Sequence, residues 1–172
     1  MAKIVSVEAL QEIRDKVLAH IRGLTFEQFH GNLDLKDYHG FGKADFTGNW
    51  VEEILFAHDL TREDVQVDII FLWTDLSDQI HQHHKSRAEI FILGECEHMP
   101  SPKAAECYLD GHWSPVRAGD IVSVGLSQSH GFRIPNVFSK KLTDDCDKLF
   151  FLSLQNPPIV SDEYDDYHRV GS

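Results

Sequence analysis

Positive charge is scarce in this 172-residue chain: 16 Lys and Arg stand against 28 Asp and Glu, for a formal net charge of -12. No block of basic residues interrupts that excess. A phosphate backbone would be repelled, so no nucleic-acid partner is expected. Long apolar runs are also lacking, and none approaches the ~18 residues of a membrane helix. The opening MAKIVSVEALQEIRDK has no apolar centre of a secretory leader. The expectation is a cytoplasmic protein that does not enter a membrane. Cysteine is sparse: Cys96, Cys107 and Cys146 are odd in number and show no CxxC spacing. They read as buried or free thiols, with a Cys96–Cys107 crosslink as the alternative that a reducing compartment disfavours. Internal repeats and low-complexity segments are absent, and GFGKAD (40–45) lacks the full pattern and context of a phosphate loop.

The length and an apolar content of 42% suit one domain with a real core. Residues 1–65 read as helical. Leu10, Ile13, Val17, Ile21 and Leu24 recur at three- and four-residue steps, which places them on one helical face. Ser6 is the expected N-cap, with Glu8 in the first turn and Gly23 at the end. Thr25 with Gln28 predicts a second short helix through FEQF. The stretch HGNLDLKDYHGFGKADFTGN, rich in Gly, Asp and Asn, reads as loop. Asn49 with Glu52 resembles a capping box before WVEEILFAHDL.

From Val65 the apolar period changes to two, and Val67, Ile69, Phe71 and Trp73 share a face. Further strands are expected at 80–84, 89–95, 105–109, 120–124, 130–134 and 149–154, separated by the turn signals SDQ, HKSR, MPSPK, LDGHW, RAGD and LTDDCD. The fold class predicted is mainly β: an antiparallel barrel or jelly roll over 66–172, with the helical section 1–65 packed on it, in a single domain overall. The tail NPPIVSDEYDDYHRVGS is expected to be extended and irregular, its acidic run solvated.

The stretch IHQHHKSRAEIFILG (80–94) gathers the chemistry. Residues two apart on a strand point to one side, so His81 and His83 project together while Gln82 and His84 face away. If the odd face of 67–73 is the barrel interior and the register survives the next loop, His81 and His83 point inward. A hairpin would return Glu89 beside them. Two imidazoles and a carboxylate suit a divalent first-row metal such as Fe, Mn, Ni or Zn. His130, at the end of VRAGDIVSVGLSQSH, is the expected third imidazole. Arg133, three residues on, is expected to line the cavity mouth, where a buried guanidinium would hold a substrate carboxylate, with a surface arginine beside an acidic neighbour as the alternative. Tyr108 and Trp73 are candidates for an apolar wall, although plain core packing explains them as well.

These residues resemble the motifs of the cupin superfamily. Its first motif is loosely HxH, three or four residues, Glu, then an apolar run and Gly, and HQHHKSRAEIFILG matches it. Its second has a Pro-x-Gly turn, two residues, His, and Asn further on; GLSQSHGFRIPN keeps His130 and Asn136. The resemblance spans about 66–155. It implies an RmlC-like jelly roll with one metal held by His81, His83, Glu89 and His130. Five residues separate His83 from Glu89, one more than usual. Taking Gln82 and His84 as the pair restores a gap of four and looks like the cupin phosphomannose isomerases. In the second motif, Gly125 and Ser127 stand where Pro and Gly are usual.

Three functions follow from the resemblance. The first is a mononuclear non-haem metal dioxygenase acting on a small molecule, with Glu89 and Arg133 as catalytic residues. The second is a metal-dependent sugar isomerase or epimerase, and the third is a non-catalytic ligand-binding cupin. A homodimer is the expected assembly, with the helical section capping the barrel or forming the contact.

Overall fold

The stripe of Leu10, Ile13, Val17 and Ile21 is buried, as its spacing requires, on a helix α1 that runs Val7–Arg22. Ser6 caps it: its side-chain oxygen accepts from the Ala9 amide at 3.1 Å. A second helix, α2 (Phe26–Gly31), opens on a reciprocal capping box. The Thr25 amide donates to Gln28 Oε1 at 2.9 Å, and the Gln28 amide donates to Thr25 Oγ1 at 3.2 Å. A third, α3 (Trp50–Phe56), follows Asn49, but the expected box does not form there. Asn49 has φ -100° and ψ 0°, not the extended geometry of a capping side chain, and it makes no cap bond. Glu52 pairs instead with Arg62 at 2.5 Å.

In this computed structural model, residues 1–37, 41–72, 80–93, 105–134, 149–159 and 167–169 are described. In chain order the strands are β1 (Leu33–Asp37), β2 (Phe41–Phe46), β3 (Gln66–Leu72), β4 (His81–His83), β5 (Arg87–Leu93), β6 (Glu106–Leu109), β7 (His112–Pro115), β8 (Ile121–Val124), β9 (His130–Arg133), β10 (Leu149–Asn156) and β11 (Tyr167–Arg169). They form two antiparallel sheets. The first, sheet A, has the order β1-β2-β3-β10-β5-β8; the second, sheet B, has the order β11-β4-β9-β6-β7. The mainly β jelly roll with helices at its N-terminal end is thus the observed architecture.

Three readings of the sequence are corrected. Residues 33–37 and 41–46, expected as loop, are a hairpin continuing sheet A through the β2–β3 pairing. Their Asp and Gly content signals turns, but pairing to a long apolar neighbour overrides that propensity. The segment LDGHW contains a turn and also the start of β7: Asp110 and Gly111 have φ of 53° and 87°, the positive pair of a two-residue hairpin. In the tail, expected to be irregular, residues 167–169 pair with β4. The expected Trp73 position and the thiols Cys96 and Cys146 lie outside the described residues. Cys107 is a buried free thiol, and burial raises its pKa to about 12. Among the described residues, no helix is long and apolar enough to cross a membrane.

Sheet A separates two cores. On one face Val67, Ile69, Leu93, Phe150, Leu152 and Leu154 pack with the α1 stripe. On the other, Leu72, Ile90, Ile92, Leu149 and Phe151 pack with Cys107 and Phe132 of sheet B. Phe132 and Phe151 stack across the sheets at 4.7 Å between centroids. The odd face of β3 therefore meets the helices and not the barrel interior. The helical layer needs an apolar floor of its own, which alternation within one strand cannot reveal.

The interior face turns polar toward one end. Asp45, Asp68 and Ser153 are aligned across β2, β3 and β10 in direct register. The Asp68 side chain hydrogen-bonds Asp45 and Gln66, with Lys43 Nζ 3.8 Å away. Burial, and then the bond to Asp45, raise the Asp68 pKa to about 7 against the attraction of Lys43. Between the unfolded value, about 4, and about 7, the folded chain holds a proton that the unfolded chain has lost. This group's stabilising contribution is full below about pH 4 and is lost as pH rises through about 7. The neutral isostere removes the dependence. In urea unfolding, Asp68→Asn should gain on the parent protein as pH rises from about 4 to 7, and a constant difference would contradict the assignment.

Candidate metal centre

The short strand β4 presents HQH with a two-residue period, so His81 and His83 share a face. Strand β9 pairs beside it and sets His130 directly opposite His81. The ring centroids lie 4.3 Å apart for His81–His130, 5.0 Å for His81–His83 and 5.5 Å for His83–His130. One ring nitrogen from each of the three falls within 4.8 Å of the others. His83 and His130 are buried, and His81 is partly buried.

His130 is prepared as a donor. Its Nδ1 lies 2.9 Å from the Gln128 carbonyl oxygen, a bond that places the proton on Nδ1 and leaves the Nε2 lone pair available. Burial lowers its pKa, favouring the neutral ring that a metal requires. The turn that delivers it is well tied. The Gly125 amide donates to Gln128 Oε1 at 2.9 Å, and the Ser127 amide donates to the His83 carbonyl at 2.7 Å. Ser127 takes φ 58°, the left-handed geometry that a glycine adopts without strain. The missing Pro-x-Gly therefore leaves the course of the turn intact.

Two expected site residues are placed elsewhere. Glu89 lies on the face of sheet A that meets α1. Arg14 Nη1 donates to it at 3.3 Å, Gln11 Nε2 at 3.1 Å and Ser123 Oγ at 2.6 Å. The extra residue in the turn after His83 is the cause. A one-position shift moves a strand side chain to the opposite face, so Ala88 faces the interior where a gap of four would put a carboxylate. Arg133 is likewise turned away. His130 and Phe132 face inward, so Arg133 faces outward, pairing with Glu106 at 2.8 Å and lying 4.1 Å over the Trp113 ring. Tyr108 meets Trp113 on that outer face.

Gln82 alternates away from the triad in register with His168 of β11, and His84 is an exposed turn residue whose Nδ1 lies 2.5 Å from Ser127 Oγ. The triad thus assembles from His81, His83 and His130, the odd-numbered pair of β4 and not the even one. Sequence reasoning passed over Arg14, Asp68 and Ser153. Each interrupts an apolar pattern, and that interruption was the available signal.

The donor set fits a metal ion. Three imidazoles converge, one with its tautomer fixed by a carbonyl. His81, His83 and His130 would hold such an ion, each offering one ring nitrogen. Imidazole suits Fe, Ni, Cu and Zn.

No family model and no curated protein matches the sequence. Solved structures do match. Pac13, described as a unique nucleoside dehydratase with a β-barrel, aligns at a TM-score of 0.52 and 11% identity over 83% of this chain and 89% of its own. A Streptomyces Pac13 variant with uridine aligns at 0.52 and 12% identity, covering 83% and 88%. An RmlC-like cupin from Shewanella frigidimarina NCIMB 400 gives 0.49 at 13% identity, over 79% and 92%. At these identities the likeness is one of fold, and it matches the antiparallel β-barrel described above.

The placement of Glu89 has a measurable consequence. Glu89→Gln removes the buried charge facing Arg14, which keeps its pairing to Asp15, and should cost about 1.5–3 kcal/mol of unfolding free energy, the scale of a charged hydrogen bond. Metal bound per chain, read by elemental analysis, should stay as in the parent protein; its loss would return Glu89 to the metal site.

Proposed function

We propose that this chain, a cupin in fold, is a metal-dependent enzyme acting on a small molecule, with His81, His83 and His130 holding one divalent first-row ion. The observation that carries the reading is the convergence of three imidazoles inside the barrel, one of them set as a neutral donor. When bound, the ion would supply Lewis acidity and, if it is iron, a redox centre for O2.

The chain's own residues do the rest. The three imidazoles would hold the ion at the wall of sheet B. The Gln128 carbonyl keeps His130 in its donating tautomer. The apolar layer of Ile90, Ile92, Phe132 and Phe151 limits water behind the site. Glu89 has no catalytic part in this reading, because its carboxylate is engaged with α1. Arg133 has none either, because its charge is matched on the outer surface.

The first chemistry proposed is oxygenation. Three imidazoles would leave an ion coordination positions for O2 and a chelating substrate, with no counterpart among the described residues to the carboxylate of the 2-His-1-carboxylate oxygenase triad. Isomerase or lyase chemistry without O2 is the second reading. It is supported by the titratable Asp45–Asp68 pair on the interior face, which can take and return a proton near neutral pH. The proposal includes a cytoplasmic location and a homodimer. Among the described residues the edge strands are β1, β8, β11 and β7, the positions at which a second copy would pair.

Elemental analysis of untagged protein tests the ligand set. The parent protein should carry about one transition metal per chain, as a single three-ligand site predicts. His130→Ala and His81→Ala should lose most of it, and His84→Ala should retain it. Full occupancy in His130→Ala would sink the assignment, and loss in His84→Ala would restore the alternative pair.

The two chemistries separate by their need for oxygen. Substrate consumption that stops under strict anaerobiosis and resumes with air supports the dioxygenase. Undiminished anaerobic turnover with zinc in place of iron would leave only the isomerase or lyase reading.

A further inference from the structure

The wall of sheet A that faces the imidazoles carries polar groups that the proposed metal site does not use. Asp45, Asp68 and Ser153 stand in one cross-strand row, and Gln66 and Gln155 form the next. Both rows lie at the end of the barrel where the chain crosses from His83 to Arg87, because Ala88 registers with Gln155 and Ile90 with Ser153. Ser153 is 2% exposed, and its Oγ is buried with no hydrogen-bond partner among the described residues. Gln155 Oε1 is buried in the same condition. A buried polar atom left unsatisfied costs free energy that a ligand hydroxyl would recover.

We propose that Asp68, with Asp45, Ser153 and Gln155, forms a hydroxyl-binding subsite for a neutral, polyhydroxylated small molecule of the sugar class. Each of these groups matches an alcohol. The Asp45–Asp68 pair both donates and accepts, the Ser153 hydroxyl does the same, and the Gln155 carbonyl oxygen accepts. Charge narrows the choice. The two acidic side chains oppose an anionic ligand, while Lys43, 3.8 Å from Asp68, opposes a cationic one. A purely apolar molecule would leave Ser153 and Gln155 unsatisfied. The subsite rests on the small-molecule reading above, and it names the class of substrate presented to the triad from the opposite wall.

The test uses the full chain stripped of metal, so that the subsite is read apart from the metal centre. Isotope-labelled protein is titrated separately with D-ribose, D-glucose, D-glucuronate and D-glucosamine, and backbone amide shifts are followed by NMR. At least one neutral sugar should give saturable shifts at Asp68 and Ser153, with the charged sugars at least fivefold weaker. Ser153→Ala removes only a hydroxyl with no partner, so it should fold as well as the parent protein and weaken the sugar at least fivefold. His130→Ala should keep the sugar affinity while losing metal. No saturable binding of any neutral sugar would overturn the subsite, as would unchanged affinity in Ser153→Ala or stronger binding of a charged sugar. Metal binding without sugar binding removes the subsite alone, and sugar binding without metal binding removes the metal reading alone.

Discussion

The central strands β3, β10 and β5 of sheet A are buried on both faces, so every second residue of these strands must suit a different neighbour. One face supports α1 and the other closes the barrel. In β10 this gives the run LFFLSLQN, buried almost throughout. Doubly covered strands carry apolar residues at odd and even positions alike. The site depends on this arrangement, because the helical layer holds the sheet from behind while sheet B brings the imidazoles to its front. The ion pair between Arg14 and Glu89 belongs to the rear face and fixes the helix to the barrel wall.

The N-terminal segment is tied down by polar groups as well as by apolar packing. Asn156 at the end of β10 accepts from the Val5 amide at 2.8 Å and donates to the carbonyls of Lys3 and Asp64 at 2.8 and 2.7 Å. Asp64 accepts from the amides of Lys3 and Thr61, and these two bonds lower its pKa. One buried amide therefore gathers the chain's start, the approach to β3 and the end of β10 into one junction. A side chain with fewer donors and acceptors would leave backbone groups unsatisfied there.

Much of this was legible in the sequence. The α1 stripe, the Ser6 cap and the Thr25 box are local features, and local chemistry decides them. Strands β3 to β6 and β8 to β10 were read close to their observed ranges, because alternation and turn residues mark them. Face assignment was not legible. The apolar odd positions of β3 suggested an interior that proved to be the helical face. His81 and His83 still met His130, since the two-residue period holds whichever face is inward. Glu89 was misplaced for a related reason: its side depends on the number of residues in a turn, and composition carries no trace of that. The hairpin of β1 and β2 was hidden because its pairing partner lies more than twenty residues further along the chain.

The turn between β4 and β5 also sets the electrostatics of the barrel. One residue fewer there would carry the glutamate through the sheet, giving the lumen an anionic donor and leaving Arg14 with the exposed Asp15 alone. As built, a divalent ion among three uncharged imidazoles would keep its full double charge. The glutamate thus serves either as helix anchor or as ligand, never both. In this chain the anchor prevails, and among the described residues the cluster at the centre carries no carboxylate of its own.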